Sequence, residues 1–480
     1  IMAYIMGEDR SQITLFPEAV DDYISSDNPV RVIEAFVNSL NMQELGFLRT
    51  DPNVTGRPAY DPKDLLKLYL YGYMNRIRSS RRLEAEAGRN LELFWLLRRL
   101  KPDFKTIADF RKDNPKAIKG VFKQFNMLCK DWDLYGKQVI AVDGSKFRAS
   151  NSKRNNFTEK KIKRQLKYID EKIETYLNEL DHHDADEADI HVPSEEEIQR
   201  RIEELKNHRS KYLSMQEEMK ATGATEISTT DPDARLMAVN NNGVEVSYNV
   251  QTAVDQKYKL VVDSDVITTP ADQGQLSNMA KKAKEVLGAE EIKVLADKGY
   301  YATKDLVECE TNGIETYVPK QRFTGNVENT DFQPDKFKYD KERDIYLCPA
   351  GQVMHPGRIR EDKGVKYQVY KNNRACKQCP LKDQCSKSSS GRTIHRNLAQ
   401  ERLDEIDRRT RENKELYLQR QMIVEHPFGT VKRIWGFSYF LTRGVESVRT
   451  ENKLHFLAYN MRRAINILGV EEIVRRLAPA

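Results

Sequence analysis

The sequence predicts an α/β fold: a mixed sheet with flanking helices, preceded by a helical N-terminal region and interrupted by a helical hairpin and a Cys-rich insertion. Three observations carry this reading. Apolar residues recur at helical spacing through 1–130, while from Lys137 onward short runs rich in Val, Tyr and Thr alternate with helical ones. Two stretches break that alternation, one of heptads and one holding four of the six cysteines. At 480 residues and 55.7 kDa the chain exceeds one ordinary domain of about 100 to 200 residues. The expected division is 1–130, 131–156, 157–225, 226–319, 320–397 and 398–480, with the sheet shared among the second, fourth and sixth pieces.

Asp61 followed by Pro62 is an N-cap with proline at the first helical position, and Leu65, Leu66, Tyr69, Leu70 and Tyr73 continue a helix of about four turns. Ser79-Ser80 ends it. Short helices are predicted over 81–89 and 91–100, and Thr106 caps another through Ile107 and Phe110. Strands follow over 138–142, closing on Asp143-Gly144, and over 244–254 and 258–267, with a hairpin turn at 255–257. Two more run over 292–296, closing on Asp297-Lys298-Gly299, and over 314–318, separated by helices over 272–288 and 303–309.

The interruptions have their own patterns. Ile162, Leu166, Ile169, Ile173, Tyr176 and Leu180 step by four and three, as do Ile198, Ile202, Leu205, Tyr212, Met215 and Met219 with a gap at Arg209. Two such seams, the second opened by Ser194 and Glu197 as a capping box, make an antiparallel coiled-coil hairpin. Between them, His182, His183, Asp184, Asp186, Asp189 and His191 read as a solvated polar loop rather than a metal site. Cys376, Cys379 and Cys385 form Cys-x2-Cys-x5-Cys, with Cys348 28 positions upstream. Four thiolates suit a structural zinc, with His355 or His395 able to replace one of them; thiols in a loop without metal are the alternative.

Apolar residues at 39% suffice for a core, and 32% charged residues are too many for a membrane bundle. No run approaches the roughly 20 apolar residues of a spanning helix, and Ile1 to Met6 leads into Gly7-Glu8-Asp9 rather than a cleavage pattern, so a cytoplasmic protein is expected. The net charge of +6 is uneven. Residues 157–223 hold 12 Lys and Arg against 17 Asp and Glu, a balance of −5, which leaves +11 (6 plus 5) for the remainder. A basic surplus of that size fits a polyanionic partner. Between Arg76 and Lys101 eight basic residues (Arg76, Arg78, Arg81, Arg82, Arg89, Arg98, Arg99, Lys101) face three acidic ones. Short helices dense in arginine suit phosphate contacts; a bundle with a solvated basic face is the alternative.

Asp143 and Asp297 each close an apolar strand, where a carboxylate is costly unless a cation or hydrogen bonds compensate. Alone, each reads more readily as a strand-end turn or cap residue. With a third carboxylate they would hold two divalent ions about 4 Å apart, an arrangement suited to phosphoryl transfer, and hard oxygen ligands select Mg²⁺ or Mn²⁺. The third is expected after the cysteines, where Glu425 is the one acidic residue among the apolar and basic residues of 417–433. Lys432, seven positions on, shares its face if the helix continues, although Pro427 must then lie in a first turn or at a kink.

Ala141-Val142-Asp143-Gly144, Ser247-Tyr248-Asn249-Val250-Gln251, Ala296-Asp297-Lys298-Gly299-Tyr300 and Val424-Glu425-His426-Pro427-Phe428-Gly429 together resemble the core of bacterial insertion-sequence DDE transposases, whose fold is RNase H-like. The helices between Tyr60 and Asn114 resemble that family's N-terminal module, and the stretch from Trp435-Gly436-Phe437 to Asn460-Met461-Arg462-Arg463 its C-terminal helix. The resemblance implies a catalytic triad of Asp143, Asp297 and Glu425 holding two Mg²⁺ or Mn²⁺. In the related Tyr, Arg, Glu, Lys pattern this chain supplies Tyr417, Arg420, Glu425 and Lys432, with a gap of four between Arg and Glu where the family has three. It also implies binding of double-stranded DNA (terminal inverted repeats and target), cleavage at transposon ends and transfer of the 3′-OH to target by a homodimer. The DNA contacts would come from Arg76, Arg78, Arg81, Arg82, Arg89, Arg98, Arg99, Tyr417, Arg420, Lys432 and Arg433. Rival readings are a domesticated, non-cleaving DNA-binding regulator and a scaffold assembled through the hairpin.

Overall fold

Residues 19–51, 59–183, 194–239, 243–320, 330–362 and 364–478 are described by the computed structural model. Six helices open it: α1 (Val30–Ser39), α2 (Pro62–Met74), α3 (Ser80–Ala87), α4 (Leu91–Leu96), α5 (Phe104–Asp113) and α6 (Pro115–Asp131). α2 starts where Asp61-Pro62 predicts, the Asp61 carboxylate accepting the Lys63 N–H. α5 starts three residues earlier than expected, because Asp103 rather than Thr106 is the cap and accepts the N–H groups of Lys105 and Thr106.

β1 (Val139–Arg148) leads into the helical hairpin, whose base is closed by β2 (Asn156–Thr158) and β3 (Glu226–Ser228) around α7 (Glu159–His183) and α8 (Glu195–Thr222). The Ser194 side chain accepts the Glu197 N–H at the start of α8. Ile162, Met215 and Met219 are buried against Phe157, Leu166, Tyr212 and Ile227, and the gap in the seam is filled by an ion pair from Arg209 to Asp170 at 2.8 Å. The side chains of 179–193, including the His and Asp residues of the loop, lie outside the described residues.

The chain then lays down β4 (Arg235–Val239), β5 (Gly243–Asp255), β6 (Val261–Ile267), α9 (Leu276–Leu287), β7 (Ile292–Leu295), α10 (Thr303–Thr311) and β8 (Ile314–Tyr317). The sheet order is β6-β5-β1-β7-β8, with β4 sharing the outer edge of β5. β1, β5 and β6 form an antiparallel meander, while β7 and β8 run parallel to β1. This mixed arrangement, flanked by helices, is the RNase H-like sheet that the sequence predicts. β1 departs from expectation by running on past Asp143, since its pairing with β5 continues to Arg148 opposite Ser247. α9 begins at Leu276 rather than Asp272, whose carboxylate is taken by neighbouring strands.

A second, antiparallel sheet follows, in the order β13-β12-β11-β10-β9. It comprises β9 (Lys338–Asp340), β10 (Ile345–Leu347), β11 (Val353–Asp362), β12 (Val365–Lys371) and β13 (Thr393–Asn397), with α11 (Asn373–Lys377) and α12 (Lys382–Cys385) between the last two. Its core is Phe337, Tyr346, Met354, Tyr370 and Ile394. α13 (Gln400–Glu412), α14 (Lys414–Phe428), a π-helical turn (Gly429–Ile434), α15 (Val445–Leu468) and α16 (Val470–Leu477) complete the fold. The N-terminal helices, the mixed sheet and α15 share one continuous hydrophobic core. Among the described residues no helix is long and apolar enough to cross a membrane.

Candidate active site

Strand register builds the site. β1 pairs with β7 in parallel, Ala141 lying opposite Leu295. Side chains alternate along strands that lie about 4.8 Å apart, so two residues on, Asp143 and Asp297 emerge side by side from the same face. β7 stops at Leu295, and the chain turns with Asp297 Oδ1 accepting the Gly299 N–H at 2.7 Å. Burial pushes the Asp143 carboxyl up to about 6, outweighing the opposing charge of Arg420, and the negative charges of Asp297 and Asp272 add to the rise. Arg420 Nη1 lies 3.9 Å from Asp143 Oδ2.

Beside this pair lies a polar network to which the sequence reading gave no role. Asp272 Oδ1 accepts Asn249 Nδ2 at 2.7 Å, Gln251 Nε2 at 2.8 Å and Lys146 Nζ at 3.3 Å. The buried Tyr300 hydroxyl donates to Gln251 Oε1, so the turn after Asp297 is tied to the strand opposite Gly144. Gly144 leaves room for this network, since a Cβ there would stand 2.5 Å from Asp272 Oδ1 and displace it. The available signal was alternation: Ser247, Asn249 and Gln251 put a polar face on a strand whose other face is Val246, Tyr248 and Val250.

α14 covers the Asp143 face. Ile423, Val424, Pro427 and Phe428 are buried, and the Phe428 ring lies 6.3 Å from that of Phe147 on β1. Pro427 falls in the last turn of α14 and a π-helical turn follows, so the seven-residue spacing from Glu425 to Lys432 no longer guarantees a shared face. Lys432 turns inward, with Nζ donating to Ser145 Oγ and to Lys146 O, both at 2.8 Å. Burial, with the charges of Arg433 and Lys146, pushes its ammonium down to about 8. Tyr417 is packed against the core and Arg433 is exposed. Glu425 is exposed and accepts Gln421 Nε2 at 2.7 Å. The structure therefore gathers Asp143, Asp297, Arg420 and Lys432, but Glu425 does not join them. Among the described residues no group of three His, Cys, Asp or Glu side chains stands close enough to hold an ion. Two adjacent hard-oxygen donors, with burial and like charge opposing the ionisation of Asp143, nonetheless fit a divalent cation.

Of the N-terminal arginines, Arg76, Arg81, Arg82, Arg89, Arg98 and Arg99 are exposed. Arg89 pairs with Glu86, and Arg98 with Asp64 at 3.0 Å. Arg78 corrects the expectation of a DNA contact. It is 7% exposed and bonded to Tyr439 O at 2.6 Å and Glu451 at 3.2 Å, since a guanidinium at the join between α3 and α15 needs a carboxylate more than a phosphate. Cys348, Cys376, Cys379 and Cys385 line one cavity of about 30 Å³, with the Gln352 N–H donating to Cys348 Sγ at 3.2 Å. All four are unbridged.

A transposase domain (DUF772) matches residues 18–113, and a transposase DDE domain matches residues 347–465. The two matches support reading the chain as an insertion-sequence DDE transposase. The first match covers the exposed Arg81 and Arg82 of α3 and Arg98 and Arg99 just after α4, and the second runs from the cysteines through Glu425 into α15, while Asp143 and Asp297 lie outside both. The search of curated proteins finds no match. A solved structure described as the piggyBac transposase synaptic complex with hairpin DNA is 8% identical, with 95% of this chain and 86% of that one covered and a TM-score of 0.26. That likeness is too slight to argue from.

Proposed function

We propose that this transposase binds terminal inverted repeats, hydrolyses a phosphodiester at each transposon end, and joins the freed 3′-OH to target DNA. The observation that supports this most is the juxtaposition of Asp143 and Asp297 at neighbouring strands, the first of them held above its ordinary pKa by burial. Asp143 and Asp297, joined by Glu425, would hold two Mg²⁺ or Mn²⁺. Those ions supply the positive charge that activates the attacking oxygen and stabilises the leaving one. A water oxygen attacks phosphorus as the bond to the 3′ oxygen breaks, leaving a 3′-OH. That hydroxyl then attacks a target phosphorus, its proton passing to solvent, and displaces the target's own 3′ oxygen.

The residues around the carboxylates position the phosphate. Arg420 sits at Asp143, and Lys432, mostly protonated at neutral pH, presents a cation two residues along β1 from Asp143. Tyr417 and Arg433 lie on the same segment, and the exposed Arg76, Arg81, Arg82, Arg89, Arg98 and Arg99 in and around α3 and α4 would grip the repeat through phosphates. Two ends must be brought together, so a homodimer on DNA is the working form. Cleavage of end-containing duplex in Mg²⁺ tests the reading: Asp297→Ala should lose cutting and keep DNA affinity, whereas no cutting by either protein favours the non-cleaving regulator.

For the cysteines we propose a structural Zn²⁺. Four thiols around one small cavity, an N–H aimed at Cys348 Sγ, and a sheet whose own core is five buried residues support it. Metal binding would draw the thiols together, as in small domains whose site forms with the ion.

A further inference from the structure

The cysteine-bearing sheet carries a charge that the composition of the whole chain conceals. Residues 353–397 hold 11 Lys and Arg against three Asp and Glu, a surplus of eight, so the rest of a chain of net +6 sums to −2 (6 less 8). Those cations are also uncommitted. Arg358, Arg360, Lys366, Lys371, Arg374 and Lys377 are exposed, and among the described residues none of them takes part in an ion pair. Nearby pairs use other cations, Lys341 to Glu401 at 3.0 Å and Lys320 to Asp404 at 3.8 Å. Elsewhere in the chain several exposed arginines are met by carboxylates, as Arg408 is by Glu405 and Glu412.

The shape is as informative as the charge. Every residue from Gly357 to Asp362 is exposed, including Ile359 at 57%, and beyond Tyr367, where the pairing of β12 with β13 ends, the β11–β12 hairpin continues as a two-stranded ribbon that stands clear of the small core. A ribbon with no packed face is marginal in water and gains order from a partner. The register places Arg360 opposite Tyr367, Lys371 opposite His355, and His395 opposite Val369, so cations and aromatic rings share the face turned away from Tyr370 and Ile394. The ribbon is rooted near the catalytic strands: Asn397, at the end of β13, donates to Thr303 Oγ1 at 3.0 Å, six residues beyond Asp297.

We propose that this β11–β12 ribbon is a second DNA-binding element that lies along the duplex leaving the active site and neutralises phosphates with Arg358, Arg360 and Lys371. A two-stranded ribbon fits the major groove, and unpaired exposed cations with rings between them are what a phosphate backbone recognises. This rests on the reading of the chain as a DNA-cleaving transposase.

The test is the affinity of the full-length protein for labelled duplex DNA, measured by anisotropy over a series of salt concentrations, for wild type and the triple variant Arg358→Gln, Arg360→Gln, Lys371→Gln. The slope of log affinity against log salt should fall by about 2 to 3, since each phosphate contact contributes about 0.9. An unchanged slope, with wild type binding normally, overturns the ribbon and leaves the transposase reading intact. Failure of the wild type to bind any duplex overturns both. The three side chains are fully exposed, and an unchanged melting temperature shows that the variant is folded.

Discussion

Asp143 is the residue at which fold and function pull in opposite directions. Its carboxyl is held near 6, well above its ordinary 3.8, first by burial and then by the charges of Asp297 and Asp272. A raised carboxyl pKa means that the folded chain binds the proton more tightly than the unfolded one. Stability therefore falls as pH rises from about 4 to about 6, and the loss is complete above that. Two pK units correspond to roughly 3 kcal/mol as an upper figure for a partly exposed group. With a chelator present, Asp143→Asn should be more stable than wild type by about 1 to 3 kcal/mol at pH 7.5, and the difference should vanish by about pH 4. A difference independent of pH would contradict this. The two aspartates were legible in the sequence as a set with Glu425, since a carboxylate closing an apolar strand is by itself an ordinary turn residue. Asn249, Gln251 and Asp272 were not, since amides in a strand have many explanations, and only the register sets them against Gly144. Arg78 shows the converse: its charge could be read, but its burial against Glu451 could not.

Periodicity was the most readable signal at the scale of elements. The heptad seams of α7 and α8 pair as expected, and even their flaw makes sense, Arg209 reaching Asp170 where an apolar residue is missing. Boundaries were less legible where side chains compete for backbone. Asp103 captures the start of α5, and β1 continues because β5 is long enough to pair with it to Arg148. The π-helical turn after Pro427 left no pattern in the sequence, yet it sets where Lys432 points. The cysteine spacing was legible as a ligand set, although the second sheet around it was not, its strands being short and rich in charge. Five buried side chains are a small core for five strands, so the proposed zinc would have a structural task there. Elemental analysis of purified protein should find about one zinc per chain, and less than about half would end the four-thiolate assignment.

At the scale of the whole molecule, the N-terminal helices are not a tethered module. Arg78 is sandwiched between Phe437 and Tyr439 and bonded to Glu451 of α15, whose Oε1 and Oε2 also take the backbone N–H of Leu441 and Thr442. His455, buried beside Arg78, is held neutral by its surroundings. Asn126 of α6 and Asn460 of α15 bond to each other and to β6. Residues that would grip DNA and residues that would cut it therefore sit on one body, and binding at α3 and α4 fixes the duplex relative to Asp143 and Asp297. Glu425 is the member of the triad that this body leaves outside, exposed on α14 and bonded to Gln421. The account requires its carboxylate to turn to the aspartate pair when DNA and cations are in place. The most direct check is the single-turnover cleavage rate of Glu425→Gln on end-containing DNA in Mg²⁺. Cutting should be abolished with affinity for the ends unchanged or slightly raised; cutting at the wild-type rate would contradict the triad and send the search to Glu405, Glu412 and Glu415.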